Sequence, residues 1–438
     1  QNRPRSQINQ RSDLKRSGSH ILKDSDRQGG GSGGGEKKER RERRASKEEN
    51  RTGEVGQGEE GGDEAVTWKQ DVTTKEQEGK WKLLLQDLRK GAELTNMLIP
   101  AEFIRPQSVL ERLAFLMQHG KYLEYIVMPN LSPVDRLKAV ISFHVSGLVR
   151  EVFDGKKPYN PILGETCAWA YQHSDPACGV TRMVCEQVSH HPPISAMHVH
   201  NEELGVSMQG AAQIDAKFTG NSVLVPFKGL RRLTIHRLNE EYTLTYPSLQ
   251  YRGIMVGAKG AEWIGKVEIR CAKTKLVAKL EFKPMGWLGM WGAWHRVEGA
   301  IKSGGGKKEV VGSISGHWDK VLSFRCAQTG KTDALYEYQW AQDNAKLNLV
   351  STPASNLATD SLHVWGKVSA ALRAKDYRKA NQEKSSVEVH ERVKRAERTR
   401  DKTLLPWRPL FFMEEKEGWT ADLNKLALFH EKSMAVGR

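Results

Sequence analysis

With 438 residues, 38% of them hydrophobic and 28% charged, the chain can bury the core of one large globular domain or two ordinary ones. Its apolar runs, such as "LLL" at 83–85 and "GWLGMWGAW" at 286–294, fall far short of the roughly 20 residues that a membrane-spanning helix needs. The net charge of +15 asks for an anionic partner, and residues 1–65 hold 15 basic against 13 acidic side chains, so the excess belongs to the rest of the chain and suits an anionic membrane or a nucleic acid.

Residues 1–65 are rich in Arg, Lys, Glu, Ser and Gly, include "GGGSGGG" at 29–35, and read as a disordered tail too poor in apolar surface to offset its ordering entropy. No basic-then-apolar start with a cleavage site is present, which gives no ground to expect secretion. In "KWKLLLQDLRKGAEL", Trp81, Leu84, Leu85 and Leu88 recur at i, i+3, i+4 and i+7, the stripe of a short helix ending near Gly91. Helices are also predicted over about 106–125 and 133–148. After Tyr159 the period becomes two. "KLVAKLEF" sets Leu276, Ala278, Leu280 and Phe282 on one face, "DALYEYQW" does so with Ala334, Tyr336, Tyr338 and Trp340, and "RLTIHRL" and "YTLTY" alternate similarly. Many short strands with few intervening helices predict a meandering antiparallel sheet that curls or closes, because an open edge is a liability. A long charged helix is predicted over about 369–400, stopped before Pro406. Five cysteines without a C-x-x-C pair predict free thiols in a reducing, cytoplasmic setting.

The unusual string is "CEQVSHHPPISAMHVH" at 185–200, where His190 and His191 precede two prolines between strand-like runs. Zinc is a poor reading, because neighbours in extended chain point oppositely and no cysteine stands at a companion spacing. Catalysis by the histidines with Glu186 or Ser189 lacks a nucleophile elbow and a triad. Two readings remain open: imidazoles satisfied within a Pro-Pro corner, or fixed donors aimed at phosphate oxygens.

"EQVSHHPP" at 186–193 resembles the fingerprint of the oxysterol-binding-protein-related lipid-transfer family. The likeness extends over about 78–412: "KPYNPILGET" at 157–166 resembles its second signature, with Tyr159 where Phe or Leu is more usual. "GAELTNMLIPAEFIRPQSVLERLA" resembles the segment after its lid, "SISGHWDK" a late strand, and "PWRPLFF" the motif after its C-terminal helices. The resemblance implies an α+β, mainly β fold: a large, near-complete antiparallel barrel with a lipid tunnel, an N-terminal helical lid and C-terminal helices. The lid would fall at about 78–97, the barrel at about 150–355 and the helical part at about 360–438, within a domain spanning 66–438.

By the same resemblance, the headgroup of phosphatidylinositol 4-phosphate is held by Lys157, Asn160, His190, His191, Lys384, Glu388 and Arg392. The last three stand four residues apart in "EKSSVEVHERVKR", so on a helix they share a face. Alone, that spacing would describe two exposed salt bridges. The lid stripe of Trp81, Leu84, Leu85 and Leu88 would cap the apolar cargo. The implied activity is exchange of phosphatidylinositol 4-phosphate for a sterol, or phosphatidylserine, between membranes. The carrier would be monomeric, cytoplasmic and peripheral on anionic membranes, at endoplasmic reticulum contact sites among others, with no catalytic residue, cofactor, metal or nucleic acid. A phosphoinositide or sterol sensor without net transfer is the alternative, and a lipid hydrolase using His191 and Glu186 a more distant one. "GWLGMWGAW" matches nothing in the family pattern. Trp287, Trp291 and Trp294 there suit either a membrane-docking loop or buried hairpin packing.

Overall fold

The computed structural model describes residues 100–113, 118–148, 156–253, 260–286, 292–304, 309–345, 349–351, 357–401, 406–416 and 418–435. The tail at 1–65 and the lid stripe of Trp81, Leu84, Leu85 and Leu88 lie outside the described residues, as do Trp287 and Trp291.

The described chain opens with β1 (Ile104–Ser108), α1 (Val109–Leu113), α2 (Lys121–Ile126) and α3 (Pro133–Ser146). β1 pairs in parallel with β2 (Lys157–Tyr159). The helix expected over 106–125 is therefore not continuous. Pro106 sits in β1, where a two-stranded ribbon tolerates its missing N–H, and Ile104 is drawn into a cluster with Tyr159 and Trp365 that periodicity cannot report. The helix expected over 133–148 is α3. Ser132 caps it by accepting from the Asp135 N–H at 3.1 Å, and Pro133 occupies the first turn.

The main sheet follows. Its first strands are β3 (Thr166–Gln172), β4 (Val180–His190), β5 (Pro193–Asn201), β6 (Val206–Ile214), β7 (Lys217–Phe218) and β8 (Ser222–Val225). Next come β9 (Phe227–Ile235), β10 (Glu240–Thr245), β11 (Ser248–Arg252), β12 (Gly260–Cys271), β13 (Leu276–Phe282) and β14 (Arg296–Ser303). It ends with β15 (Val310–His317), β16 (Val321–Cys326), β17 (Thr332–Glu337), α4 (Tyr338–Ala345) and β18 (Leu349–Ser351). The strand order is β17-β16-β15-β14-β13-β12-β10-β9-β6-β5-β4-β3-β18, with β11, β8 and β7 as a branch from β12. Every pairing within it is antiparallel, and among the described residues its end strands β17 and β18 do not pair with each other.

Period two holds where it was clearest: Leu276, Ala278, Leu280 and Phe282 are at most 6% exposed. It fails in "DALYEYQW". A register shift opposite Leu322 and Ser323 leaves Ala334 exposed while Tyr336 is buried, and the strand gives way to α4 at Tyr338, whose N–H donates to the Lys320 carbonyl.

Two helices show which way the sheet bends. α2 touches β17 at one end of the strand order and the residue after β3, the strand next to β18, at the other: the Tyr122 ring lies 6.4 Å from Tyr336 of β17, while Glu124 Oε1 lies 2.7 Å from Nδ1 of His173. α3 has 9 of its 14 residues buried, which an edge-on surface helix does not achieve. Its Arg136 forks onto Glu240 at 2.8 and 2.7 Å, and its Ser142 hydroxyl donates to the Leu335 carbonyl at 2.7 Å, so β10 and β17 both face it. The main core joins α2, α3 and the inward side chains of the strands.

The C-terminal part contains α5 (Ser361–Val364), α6 (Gly366–Arg373), α7 (Tyr377–Arg400), β19 (Phe412–Glu415), β20 (Gly418–Ala421) and α8 (Leu423–Ala435). The single helix expected over 369–400 is two. Lys375 adopts a left-handed φ of 57°, and Asp376 then caps α7 through the Lys379 N–H. A second core, with Phe411, Phe412 and Leu426 against Val184, Val188 and Ala196, covers the outer face of β4 and β5.

Candidate functional site

His190 and His191 stand at the tip of the β4–β5 hairpin, where His190 pairs with Pro193 and the His191–Pro192 bond is cis. Their rings meet edge to face at 4.7 Å. His190 Nδ1 lies 3.0 Å from the Pro161 carbonyl, so that nitrogen carries the hydrogen and donates, leaving Nε2 for a ligand. Burial, then His191 and then Arg395, holds the His190 pKa below its ordinary value. Near pH 7 Nε2 is thus an acceptor, suited to a hydroxyl, and becomes a donor to phosphate only on protonation.

The "KPYN" segment passes beside it. Tyr159 stacks on Trp365 at 4.5 Å and its hydroxyl bonds Ser369 Oγ at 2.9 Å, which gives the tyrosine a reason to stand where the family more often has an apolar residue. Lys157 on the same strand is half-buried, and its ammonium is pushed down to about 8, first by burial and then by Lys384, against the opposing pull of Glu388. A buried ammonium beside a second cation suits an anion between them. Asn160 follows, half-buried.

Helix α7 lies along this end of the sheet, anchored by buried Ala380 and by Asn381 accepting from the Ala101 N–H at 3.2 Å. Lys384 Nζ meets Glu388 Oε1 at 2.5 Å, with both residues half-buried. At about 100° per residue, positions 388, 391, 395 and 398 stay within about 40° of the bearing of Lys384, whereas Arg392 has turned about 80° away. Arg392 is accordingly exposed, its Nε donating to the Glu388 carbonyl at 3.3 Å. Glu391 and Arg395 both act electrostatically on His190, and Glu391 also meets Arg398 at 2.6 Å. Lys157, His190, Lys384 and Glu388 are therefore brought to one end of the sheet, with Glu391 and Arg395 added. Stepping by fours missed those two; stepping alternately by four and three would have found them.

Two carboxylates in the signature strings point elsewhere. Glu186 accepts from the Leu410 and Phe411 N–H groups at 2.7 and 2.8 Å, tying "EQVSHHPP" to "PWRPLFF". Glu165 is fully buried and accepts from Ser108 and Ser361 hydroxyls, the Ile162 N–H and the Trp365 indole. Neither is placed as a catalytic base. Among the described residues no group of three His, Cys, Asp or Glu is arranged to hold a metal ion, and no helix is long and apolar enough to cross a membrane. Trp294 packs over Gly260 and sits 5.8 Å from the Arg252 guanidinium, which also grips the Met285 and Gly286 carbonyls at the base of the 286–294 loop.

The family model for oxysterol-binding protein matches residues 81–431, a span that includes both signature strings and α7. The chain belongs to the oxysterol-binding protein family. Mouse oxysterol-binding protein-related protein 5 is 34% identical over 360 residues, 81% of this chain and 40% of the mouse protein. The human counterpart is 34% identical over 78% of this chain and 38% of its own length, so the chain spans about two fifths of these relatives. Oxysterol-binding protein 4 of Dictyostelium discoideum is 30% identical over 80% of this chain and 74% of that protein. Two solved structures share the fold. The Osh1 ORD domain in complex with cholesterol aligns with a TM-score of 0.65 at 23% identity, over 82% of this chain and 97% of that one. The Osh3 ORD in complex with PI(4)P, from Saccharomyces cerevisiae, gives 0.61 at 21% identity over 77% and 89%.

Proposed function

We propose that this oxysterol-binding protein family member carries one lipid at a time inside the curl of its sheet and exchanges phosphatidylinositol 4-phosphate for a sterol between membranes. The observation that carries the reading is the convergence of Lys157, His190 and the Lys384–Glu388 face of α7, three segments far apart in sequence, at one end of a sheet with an apolar inner side. Lys157 and Lys384 would meet the phosphates, Asn160 and Glu388 the inositol hydroxyls, and Arg392 at the exposed edge the outermost charge. Cholesterol and PI(4)P are the ligands of the two structural relatives above. Phosphatidylserine is the second choice for the exchanged cargo. Because both lipids would compete for one space, a gradient of either could drive the other.

A near-complete barrel is supported by chain reach. The 13 strands on the path from β17 to β18 would place those two about 58 Å apart if flat, at about 4.8 Å per spacing. The link between them, from Glu337 to Leu349, contains α4 and spans about 26 Å at most. The sheet must therefore bend back on itself, and α2 fills the gap between its ends. In the domain proposed at 66–438, a lid at 78–97 carrying Trp81, Leu84, Leu85 and Leu88 would close the mouth. Burial of apolar lipid surface, worth about 25 cal/mol per Å², would favour the closed carrier in water. Release then belongs at an anionic cytoplasmic membrane surface, where the basic excess would steer docking and the 286–294 tryptophans would add apolar contact.

The test is mass spectrometry of lipids that co-purify with the full chain, paired with transfer between donor and acceptor liposomes. Wild type should retain phosphatidylinositol 4-phosphate and a second lipid and move both. His190→Ala/His191→Ala should lower phosphoinositide affinity about tenfold to a hundredfold, the loss of two hydrogen bonds, one of them charge-assisted on protonation. Wild-type binding should strengthen from pH 7.5 to 6 and the double variant should not. Equal phosphoinositide retention by the two proteins, or lipid binding without any transfer, would sink the exchange reading.

A further inference from the structure

Deep on the inner wall, β9 turns an arginine inward. The ladder row through Arg231 reads Cys185, Met197, Gly210, Arg231, Leu244 and Ile269, apolar or small at every place but one. Arg231 shares the face of Leu233 and Ile235, which are fully buried in the main core, and is itself 7% exposed. Gly210 opposite makes room for it, since a Cβ there would stand 2.9 Å from Arg231 Cγ. Cys185 is five residues below His190 on β4, so this row lies about 15 Å from the histidine tip.

A buried guanidinium ordinarily has a carboxylate, because an unpaired charge is costly to desolvate. Arg231 has none among the described residues. Its Nη2 lies 3.2 Å from His144 Nδ1 and its fork sits 4.7 Å from the centre of the Tyr246 ring. Phe227 joins Tyr246 to Trp263, with ring centres 6.3 and 5.8 Å apart. Arg231 Nε, His144 Nε2 and Trp263 Nε1 are all buried without a hydrogen-bond partner. Since His144 accepts through Nδ1, its hydrogen is on Nε2, so the three unpartnered atoms are all N–H donors. Tyr246 is half-buried, and burial raises its pKa.

A cation with surplus donors and no acceptor selects a ligand with two oxygens and a negative charge. A sterol hydroxyl would engage one donor and leave the charge unanswered. We infer that Arg231, with His144 beside it, forms a second polar subsite on the inner wall that takes the carboxylate of an amphiphile inserted head-first, its tail running toward the mouth. The inference rests on the lipid-cavity reading above. The guanidinium fork would grip the carboxylate bidentately.

The experiment titrates the 438-residue chain with cis-parinaric acid, its methyl ester and dehydroergosterol, read by fluorescence. Wild type should bind the acid at least tenfold more tightly than the ester. Arg231→Met should erase that preference, Arg232→Met, altering the neighbour on the opposite face, should keep it, and ligand-free Arg231→Met should melt no lower than wild type. Equal binding of acid and ester, acid preference surviving in Arg231→Met, or a clearly lower melting temperature for that variant would overturn the subsite. Dehydroergosterol binding without acid binding would overturn it while sparing the lipid-cavity reading, whereas failure of all three probes would remove both.

Discussion

Lys157→Ala is expected to weaken phosphatidylinositol 4-phosphate binding at pH 7 by about a hundredfold to several thousandfold, the range for deleting one member of a buried, hydrogen-bonded charge pair. Sterol binding should change no more than about twofold. The size follows from the surroundings of the ammonium: it is held near 8 by burial and by Lys384, so a phosphate would relieve a cost already present in the fold. The sign of the pH dependence follows too. Binding favours the protonated lysine, so its contribution to affinity should be level below pH 8 and fall about tenfold per unit above it, until the higher pKa of the complex is reached. The phosphomonoester, with a second pKa of about 6, is about nine-tenths doubly ionised at pH 7 and adds little opposing trend. Lys157→Arg, charged throughout, should bind with a flat profile between pH 7 and 9. Titration of short-chain phosphatidylinositol 4-phosphate by calorimetry at pH 7, 8 and 9 decides the matter. A wild-type affinity unchanged across that interval would remove Lys157 from the phosphate site.

The sequence disclosed the parts whose pattern is local. Alternation in β13, the cap and proline of α3, and the paired histidines before two prolines are each written in a few consecutive residues. What it withheld depends on partners elsewhere in the chain. Pro106 reads as the start of a helix until Ile104, two residues before it, packs with Tyr159 and Trp365 and the segment is held as a strand. The break at Lys375 carries no glycine to announce it, and is legible only as Asp376 in capping position. The alternation of Leu233 and Ile235 already sets Arg231 on the apolar face, but no local pattern tells that a charge is accommodated there, because the room for it is made by Gly210 on the neighbouring β6. The α7 face was half legible: a four-residue step finds Lys384 and Glu388, yet accumulates rotation and carries the eye off the stripe before Glu391 and Arg395.

Glu165 is expected to matter as much as any ligand contact while touching none. Its two oxygens divide their donors unequally. Oε1 takes the Ser108 and Ser361 hydroxyls, which can turn round and accept; Oε2 takes the Ile162 N–H at 3.1 Å and the Trp365 indole N–H at 2.8 Å, which cannot. Glu165→Gln can satisfy all four by aiming its amide at the serines and its carbonyl at Ile162 and Trp365, and should cost less than about 1 kcal/mol. Glu165→Ala strands two buried donors and should cost about 3–5 kcal/mol, lowering the unfolding midpoint accordingly. Burial raises the Glu165 pKa in the fold, so the native state holds its proton to higher pH than the unfolded chain does. Its contribution to stability therefore declines as pH rises above about 4.5, and Glu165→Gln should gain on wild type over that range. Because these four bonds join β1, the "KPYNPILGET" segment and α5–α6, the alanine variant should also lose phosphoinositide affinity at temperatures where it remains folded. Denaturant unfolding of both variants at pH 5 and 7.5 tests the account, and equal destabilisation by Gln and Ala would show that the hydrogen-bond geometry at Glu165 is not what holds these elements together.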